Sequence, residues 1–352
     1  MKEREDVRQG KNNLKGGSDS QVMIWIGVGL IAAALVIFGF LFFSKGKDDS
    51  SSQGESSSQR AAESSSQRET VATTTTAGTT QKETEKTSGK AESKPEAAAQ
   101  MQVHFIDCGQ GDCTLITCGG EAMLIDSGER DDSDRVIKYL KEHGVTKLSC
   151  IIVTHPHTDH MGEMPDILKA FKTDKFIMPK VPDNMVPTIM RYEKMLKQIK
   201  NQGLEISWSS NSEFRLGDAV INTYTPKGQF EELNDYSTVV KISCGSRKFL
   251  IMGDTEKEEE SDLLAQRFDF RADVLKVPHH GSYKGTTSEL LKAVGAQYAV
   301  ICCGKNNDYG HPHDSTLKRI KMFISNVYIT KDNGDIVFTT DGKSLTVTTQ
   351  RG

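Results

Sequence analysis

The chain has 352 residues, with 44 Lys+Arg against 48 Asp+Glu and a formal net charge of −4. Residues 1–100 carry 13 basic and 13 acidic side chains, so the acidic excess lies wholly in 101–352. This balance excludes a strongly basic coat for sequence-independent nucleic-acid binding, while leaving a local basic groove open; residues 101–352 are ample for one large domain.

Residues 1–21 read as a short cytoplasmic tail. Val22–Phe43 is an uncharged run, VMIWIGVGLIAAALVIFGFLFF. At about 1.5 Å per residue it is long enough to cross a bilayer, and it is too long for a signal-peptide core. The expectation is one transmembrane helix that partners the chain with the membrane. Lys2, Arg4, Arg8, Lys11 and Lys15 precede it, whereas Lys45 and Lys47 follow it. By the positive-inside rule the remainder is extracellular. Residues 44–100 repeat Ser-Ser-Ser-Gln, then turn Thr-rich, and contain no aromatic residue beyond position 43. They cannot bury enough apolar surface to fold, and read as a disordered tether with a mean reach of about 40 Å.

All seven cysteines lie in 101–352, none in a CxxC pair. An odd count of scattered cysteines suits small apolar positions better than a zinc knuckle or a disulfide framework. Free thiols fit a cytoplasmic domain, so the reverse topology is the competing expectation.

Within 101–352, Val103–Ile106, Thr114–Thr117 and Ala122–Ile125 read as strands. Ser133–His143 is an amphipathic helix, and Leu148–Val153 a continuous apolar strand running into Thr154-His-Pro-His157. Helices follow at Met164–Phe171 and Pro187–Asn201. Phe214–Tyr224 and Thr238–Met252 carry hairpin patterns with Gly217-Asp218 and Gly245-Ser246 turns. Glu256–Arg267 is helical, Val274–Val277 a strand, Ser288–Gly295 a helix, Tyr298–Cys303 a strand and Ser315–Met322 a helix, with Asp314 or Ser315 as its N-cap. Val327–Gln350 reads as a β-meander with Asn333-Gly334 and Asp341-Gly342 turns. Periodicity alone licenses α/β or α+β.

The strongest local signal is His155-Pro-His157-Thr-Asp159-His160, with four potential ligands within six residues after a buried strand. Imidazole nitrogens with a carboxylate oxygen suit zinc, manganese or iron, and the spacing allows two neighbouring cations. Asp254 follows the apolar run 249–252, where a bridging carboxylate is expected. His279 and His280 follow Val274–Val277, and Asp126 closes a strand as a candidate acceptor for a ligand histidine. His311-Pro-His313 is a further pair in which one member is a candidate site residue. His104 and His143 have no supporting pattern and read as structural.

These residues carry a resemblance. The HxHxDH run with the later Gly-Asp and His-His resembles the metallo-β-lactamase superfamily. The finer pattern is similar to the soluble domain of ComEC-type competence proteins. Its marks are Val103-His-Phe-Ile-Asp107-Cys-Gly-Gln-Gly-Asp112, Leu124-Ile-Asp126-Ser-Gly128, Thr154–His160, Leu250-Ile-Met-Gly-Asp254, Leu275-Lys-Val-Pro-His-His-Gly-Ser282 and Tyr309-Gly-His-Pro-His313. They span nearly all of 101–352. The resemblance implies a four-layer αββα sandwich with two divalent ions, zinc or manganese. It assigns His155 and His157 to one ion and Asp159 and His160 to the other. Asp254 would bridge, and His280, rather than His279, would complete the second site. The remaining histidine of that pair would act as general acid on the leaving group. Asp112, Asp126, Asn234, Ser237 and His311 are the candidate supporting or substrate-contacting residues.

Two departures stand out. Superfamily members often supply a third histidine to the first ion, yet no histidine lies between His160 and Asp254. The corresponding stretch is Asn234-Asp-Tyr-Ser237, so an oxygen ligand is the alternative, which brings manganese level with zinc. ComEC channels also have many membrane spans, against one expected here. The functional expectation is a membrane-anchored metal-dependent phosphodiesterase or nuclease acting on DNA. The alternatives are a teichoic-acid or phosphorylcholine phosphodiesterase of the cell wall, and a non-catalytic binding module of the same fold. No protein partner is expected.

Overall fold

Alternation along the strands sets the layers. In the strand Glu121–Ile125, Met123 and Ile125 join one apolar cluster while Ala122 and Leu124 join another, as period-2 pleating requires. The computed structural model describes residues 100–130 and 134–352. The expected membrane helix at 22–43 and the tether at 44–100 therefore fall almost wholly outside the described residues. Among the described residues no helix is long and apolar enough to cross a membrane.

The first half comprises β1 (Met101–Phe105), β2 (Thr114–Cys118), β3 (Glu121–Ile125), α1 (Arg135–Glu142), β4 (Lys147–Leu148), β5 (Cys150–Ile152), α2 (Thr158–Met161), α3 (Met164–Ala170), β6 (Lys172–Thr173), β7 (Phe176–Met178), α4 (Met190–Asn201) and β8 (Ile206–Trp208). The second comprises β9 (Ser212–Leu216), β10 (Ala219–Tyr224), β11 (Val239–Cys244), β12 (Arg247–Ile251), α5 (Lys257–Ala265), β13 (Val274–Lys276), α6 (Ser288–Val294), β14 (Tyr298–Ile301), α7 (Asp314–Lys321) and β15 (Asn326–Ile329). The chain closes with α8 (Thr330–Asn333), β16 (Ile336–Thr340) and β17 (Leu345–Thr349).

Among the described residues one sheet has eight strands in the order β17-β16-β1-β2-β3-β5-β7-β8, and the other seven in the order β15-β14-β13-β12-β11-β10-β9. Each begins antiparallel and turns parallel, at β3–β5 in the first and at β12–β13 in the second. Val103, Ile116, Ile152, Ile251, Val274 and Phe338 fill the space between the sheets. The outer face of the first sheet packs under α1, α3 and α4 through Leu140, Ile167 and Met195, and that of the second under α5, α6 and α7 through Leu263, Leu291 and Ile320. The layers run helix, sheet, sheet, helix, as expected.

Three readings need correction. The run Leu148–Val153 is two strands, because Lys147–Leu148 pairs with Lys172–Thr173 in a separate ribbon before Cys150–Ile152 enters the main sheet. The tail is not a meander. β15 extends the second sheet in parallel with β14, and α8 then carries the chain to the first sheet, so only Asp341-Gly342 joins a hairpin. At α7 the N-cap is His313, whose side chain makes no capping bond, in place of Asp314 or Ser315. The strands β7 and β8 had no sequence signal strong enough to separate them from loops.

All seven cysteines are buried free thiols. His104 is structural as expected: its Nδ1 lies 2.9 Å from the Tyr139 hydroxyl and its ring meets His143 edge-on. Burial, reinforced by His143, pushes its pKa down to about 4. The unfolded chain, with an ordinary histidine, therefore binds the extra proton first as pH falls. Stability from this residue is present at pH 7 and lost between about pH 6.5 and 4, by up to about 3 kcal/mol. Urea titrations at pH 7 and pH 4.5 should show a smaller acid loss in His104→Gln than in the unsubstituted chain. Phe338 meets Phe105, Phe249 and Tyr298 edge-on between the sheets. Phe338→Ala should cost about 3–5 kcal/mol in the same titration.

Candidate metal centre

The predicted residues converge at the carboxyl ends of the parallel strands, where open α/β sheets place their sites. β3 delivers Asp126, β5 delivers Thr154 and the 155–160 loop, β12 delivers Asp254, and β13 delivers His279 and His280. Close backbone approach makes this possible. Gly111 has φ +118, and a Cβ there would collide with the Asp159 carbonyl. The Asp112 N–H donates to that same carbonyl over 3.1 Å.

Asp254 sits at the middle. Its Oδ1 is 3.2 Å from His160 Nε2, and its Oδ2 is 3.3 Å from His280 Nε2 and 4.0 Å from His155 Nε2. Asp159 Oδ2 lies 3.1 Å from His280 Nε2 and 3.9 Å from His160 Nε2. Asp159, His160, Asp254 and His280 thus each offer a ligand atom within 4.8 Å of the others. Beside them His155 Nε2 and His157 Nδ1 are 3.0 Å apart. The structure thus brings together the six residues expected as ligands, with Asp254 between the 155–160 loop and His280.

The donors fit divalent cations. His160 Nε2 and Asp254 Oδ1 face each other at 3.2 Å without an aligned hydrogen bond, an arrangement that a cation between them would complete. The set is imidazole nitrogen with carboxylate oxygen, suited to zinc or manganese. The buried carboxylates dominate the local field. Burial alone would raise the Asp254 carboxyl, but His160 and His280 outweigh it and hold it well below the usual range. Burial likewise opposes charge on His160, yet Asp254, Asp126 and Asp159 together lift its pKa well above the ordinary value. His155 goes the other way: burial, then the neighbouring His160, keep it neutral.

A supporting shell orients the ligands. Asp126 accepts from Thr154 N–H and Thr154 Oγ1, each at 2.7 Å, and faces His160 Nδ1 at 2.8 Å, which turns His160 Nε2 toward Asp254. His280 Nδ1 donates to the Cys302 carbonyl over 2.8 Å, aiming its Nε2 at Asp159. Ser237 Oγ accepts from Asp254 N–H at 3.1 Å and stands 3.5 Å from His155 Nδ1. His279 is partly exposed. Its Nδ1 is 3.1 Å from Glu256 Oε1, in a close charge contact rather than an aligned hydrogen bond, and its Nε2 is 3.8 Å from Asp254. His157, Asp159, Asn234, Asp254, His279, His280 and His311 line one cavity of about 260 Å³, with Gln110 and the exposed Tyr309 at its edge. His311 stacks on Tyr309, and burial, with His280 and His279, pushes its pKa down to about 4. His313 does not line this cavity; it meets Tyr283 edge-on.

Asp112 also stands near the site but is already partnered. It forms a contact ion pair with Lys276, which is wholly buried and also donates to the Gly253 carbonyl at 3.2 Å. Asp112, Asp126 and His160 form a second close group, but Lys276 and Thr154 take up its two carboxylates, leaving no place for a cation. Sequence reasoning missed Lys276, Thr154 and Glu256. Lys276 did leave a signal, a lone cation within the apolar strand Val274–Val277, where both faces of a parallel sheet are covered. Burial works against its charge, and Asp112 followed by Asp254 outweighs it. Lys276→Ala should therefore destabilise the domain by about 3–5 kcal/mol, because it strands the Asp112 anion. Lys276→Met with Asp112→Leu should recover most of that loss in denaturant titrations.

Sequence similarity places the chain in a family. A profile described as Metallo-beta-lactamase superfamily matches residues 106–305. The chain is 28% identical over 264 residues to ComE operon protein 3 of Bacillus subtilis, covering 69% of this chain and 34% of that protein. It is 28% identical over 240 residues to Recombination protein 2 of Haemophilus influenzae, covering 67% of this chain and 28% of that one. The chain thus spans about a third of the length of these curated relatives. The crystal structure of the metallo-beta-lactamase fold protein YhfI from Bacillus subtilis aligns with a TM-score of 0.47 at 17% identity, covering 68% of this chain and 100% of that one. With the profile spanning more than half of its residues, the chain belongs to the metallo-β-lactamase superfamily, whose members are usually metal-dependent hydrolases.

Proposed function

We propose that the protein is a metal-dependent phosphodiesterase, tethered to the membrane through 22–43, with DNA as its first candidate substrate. The observation that carries the reading is the convergence of Asp159, His160, Asp254 and His280 beside the His155–His157 pair in one open cavity. The name of one relative, Recombination protein 2, supports a nucleic-acid substrate. His155 and His157 would hold one cation, Asp159, His160 and His280 the other, with Asp254 shared. Bound divalent cations supply Lewis acidity, lowering the pKa of water and stabilising charge at phosphorus.

The protein's own groups divide the remaining work. Asp126 and Ser237 hold His160 and His155 in register. His280 donates from Nδ1 to the Cys302 carbonyl, which leaves Nε2, beside Asp159 and Asp254, as the nitrogen that would bind the cation. His279 keeps its Nε2 toward the cavity and is the group placed to protonate the leaving alkoxide, with Glu256 beside its Nδ1. His311 borders the same space and is suited to contact a phosphoryl oxygen or the leaving group.

One observation favours a smaller substrate. Glu231, Glu232, Glu256 and Glu258 line a groove with Lys257 and Lys284, a mixed surface with an acidic excess. Such a surface repels a long polyanion and is compatible with a cell-wall phosphodiester such as teichoic acid or phosphorylcholine ester. Salt-dependent affinity for single-stranded DNA, measured beside cleavage rates of small diesters, separates the two substrates.

In the full chain, His157→Ala and Asp254→Ala should lower turnover of an activated phosphodiester by more than the about 10–100-fold that outer-shell changes cost. A chelator should abolish turnover, and manganese or zinc should restore it. Unchanged turnover in both variants refutes the hydrolase reading. A purified chain that takes up no transition metal supports a non-catalytic module of the same fold.

A further inference from the structure

We infer that the side-chain oxygen of Asn234 is a protein ligand of the His155–His157 cation, in addition to the shared Asp254, and biases that position toward manganese over zinc. The inference rests on the metallohydrolase reading above and names an atom that the histidine pattern leaves open.

Two imidazoles at 155 and 157 leave their cation short of protein donors, and no histidine occurs between His160 and Asp254 to complete it. Asn234 stands in the gap. It sits in the 3₁₀ turn Leu233–Tyr236 and lines the same cavity as His157 and Asp254. Its side chain is 7% exposed, and its Oδ1 is buried without a hydrogen-bond partner. Native proteins rarely leave a buried amide oxygen in that state without a ligand or ion to meet it.

The direction of the amide follows from its other end. Asn234 Nδ2 donates to Glu256 Oε1 over 2.9 Å. An ionised carboxylate only accepts, so the nitrogen must face Glu256 and the oxygen must face away. Glu256 is itself held, 3.3 Å from Lys284 Nζ and 3.1 Å from His279 Nδ1. The turn is tied to the bridging carboxylate as well. The Asn234 carbonyl accepts from Ser237 Oγ at 2.8 Å, and that same oxygen accepts from the Asp254 N–H at 3.1 Å. Asn234 and Asp254 therefore move as one hydrogen-bonded unit.

The chemistry sets the metal bias. A third imidazole would favour zinc, the borderline-soft ion of nitrogen-rich sites. A carbonyl oxygen makes the set harder and suits manganese better.

The test is metal binding itself, read by calorimetry and by the manganese EPR signal on the metal-depleted full chain in detergent micelles. The unsubstituted chain should bind manganese at two positions. Asn234→Ala should weaken one of them by at least about tenfold and leave the other unchanged, as expected for loss of one ligand. Asn234→Asp, which keeps an oxygen, should bind at least as tightly as the unsubstituted chain. Asn234→His should shift manganese–zinc competition toward zinc by about tenfold or more. If Asn234→Ala fails to fold, the Asp and His variants decide alone: Asp binding more weakly, or His leaving the preference unchanged, overturns the assignment. Two-site binding unaltered in Asn234→Ala overturns the assignment and leaves the hydrolase reading standing. An unsubstituted chain that binds neither ion overturns both.

Discussion

The structure turns on one buried anion. Asp254 sits at the end of a central strand with 2% exposure, and a carboxylate in that position is tenable only if opposite charge surrounds it. Imidazoles supply one side: His160 and His280 lie 3.2 and 3.3 Å from its oxygens. Lys276 supplies the other. It reaches from the next strand to the Gly253 carbonyl and to Asp112, so a fixed cation lies behind the backbone that carries Asp254. Gly253 takes φ +58 there, and a Cβ would press on Thr154 and on the Ser237 hydroxyl. The anion, its counter-cation and the tight turn are one packed unit. The 155–160 loop is placed against that unit through His160 and His155.

Much of this was legible in the chain because ligand chemistry is local. His155, His157, Asp159 and His160 share one loop, and Asp254, His279 and His280 follow apolar runs, so each announced itself as a polar residue at a strand end. The layer order followed from the resemblance, and the hairpins at Gly217-Asp218 and Gly245-Ser246 from turn chemistry. What was illegible is set by pairing at long range. Nothing in Val327–Gln350 shows that β15 belongs to one sheet and β16 to the other, since both alternate in the same way. β7 and β8 have three residues each, too few to show a period. Glu256 looked like an ordinary helix-start acid, and only the fold brings it to Asn234 and His279. That His280 faces Asp159 while His279 faces Glu256 depends on the turn itself: both residues have φ near +50, which sends successive side chains to different partners.

The site also depends on residues that no ligand motif marks. The Asp107–Asp112 turn carries the partner of Lys276, and its anchor comes from the far end of the chain. The Asp107 N–H donates to Asp335 Oδ1 at 2.8 Å, and Arg135 reaches the same oxygen at 2.9 Å. Arg351 meets the Asp107 carboxylate at 2.6 Å. The strand β16 lies against β1 in antiparallel register from Met101–Thr340 to Phe105–Ile336, so the last strands close the sheet that the first one opens. The family profile ends at residue 305, yet His311, Asp335 and Arg351 lie beyond it. The C-terminal segment therefore supports the site: it ties down the loop that carries Asp112, Asp112 pairs with Lys276, and Lys276 lies behind the backbone of Asp254.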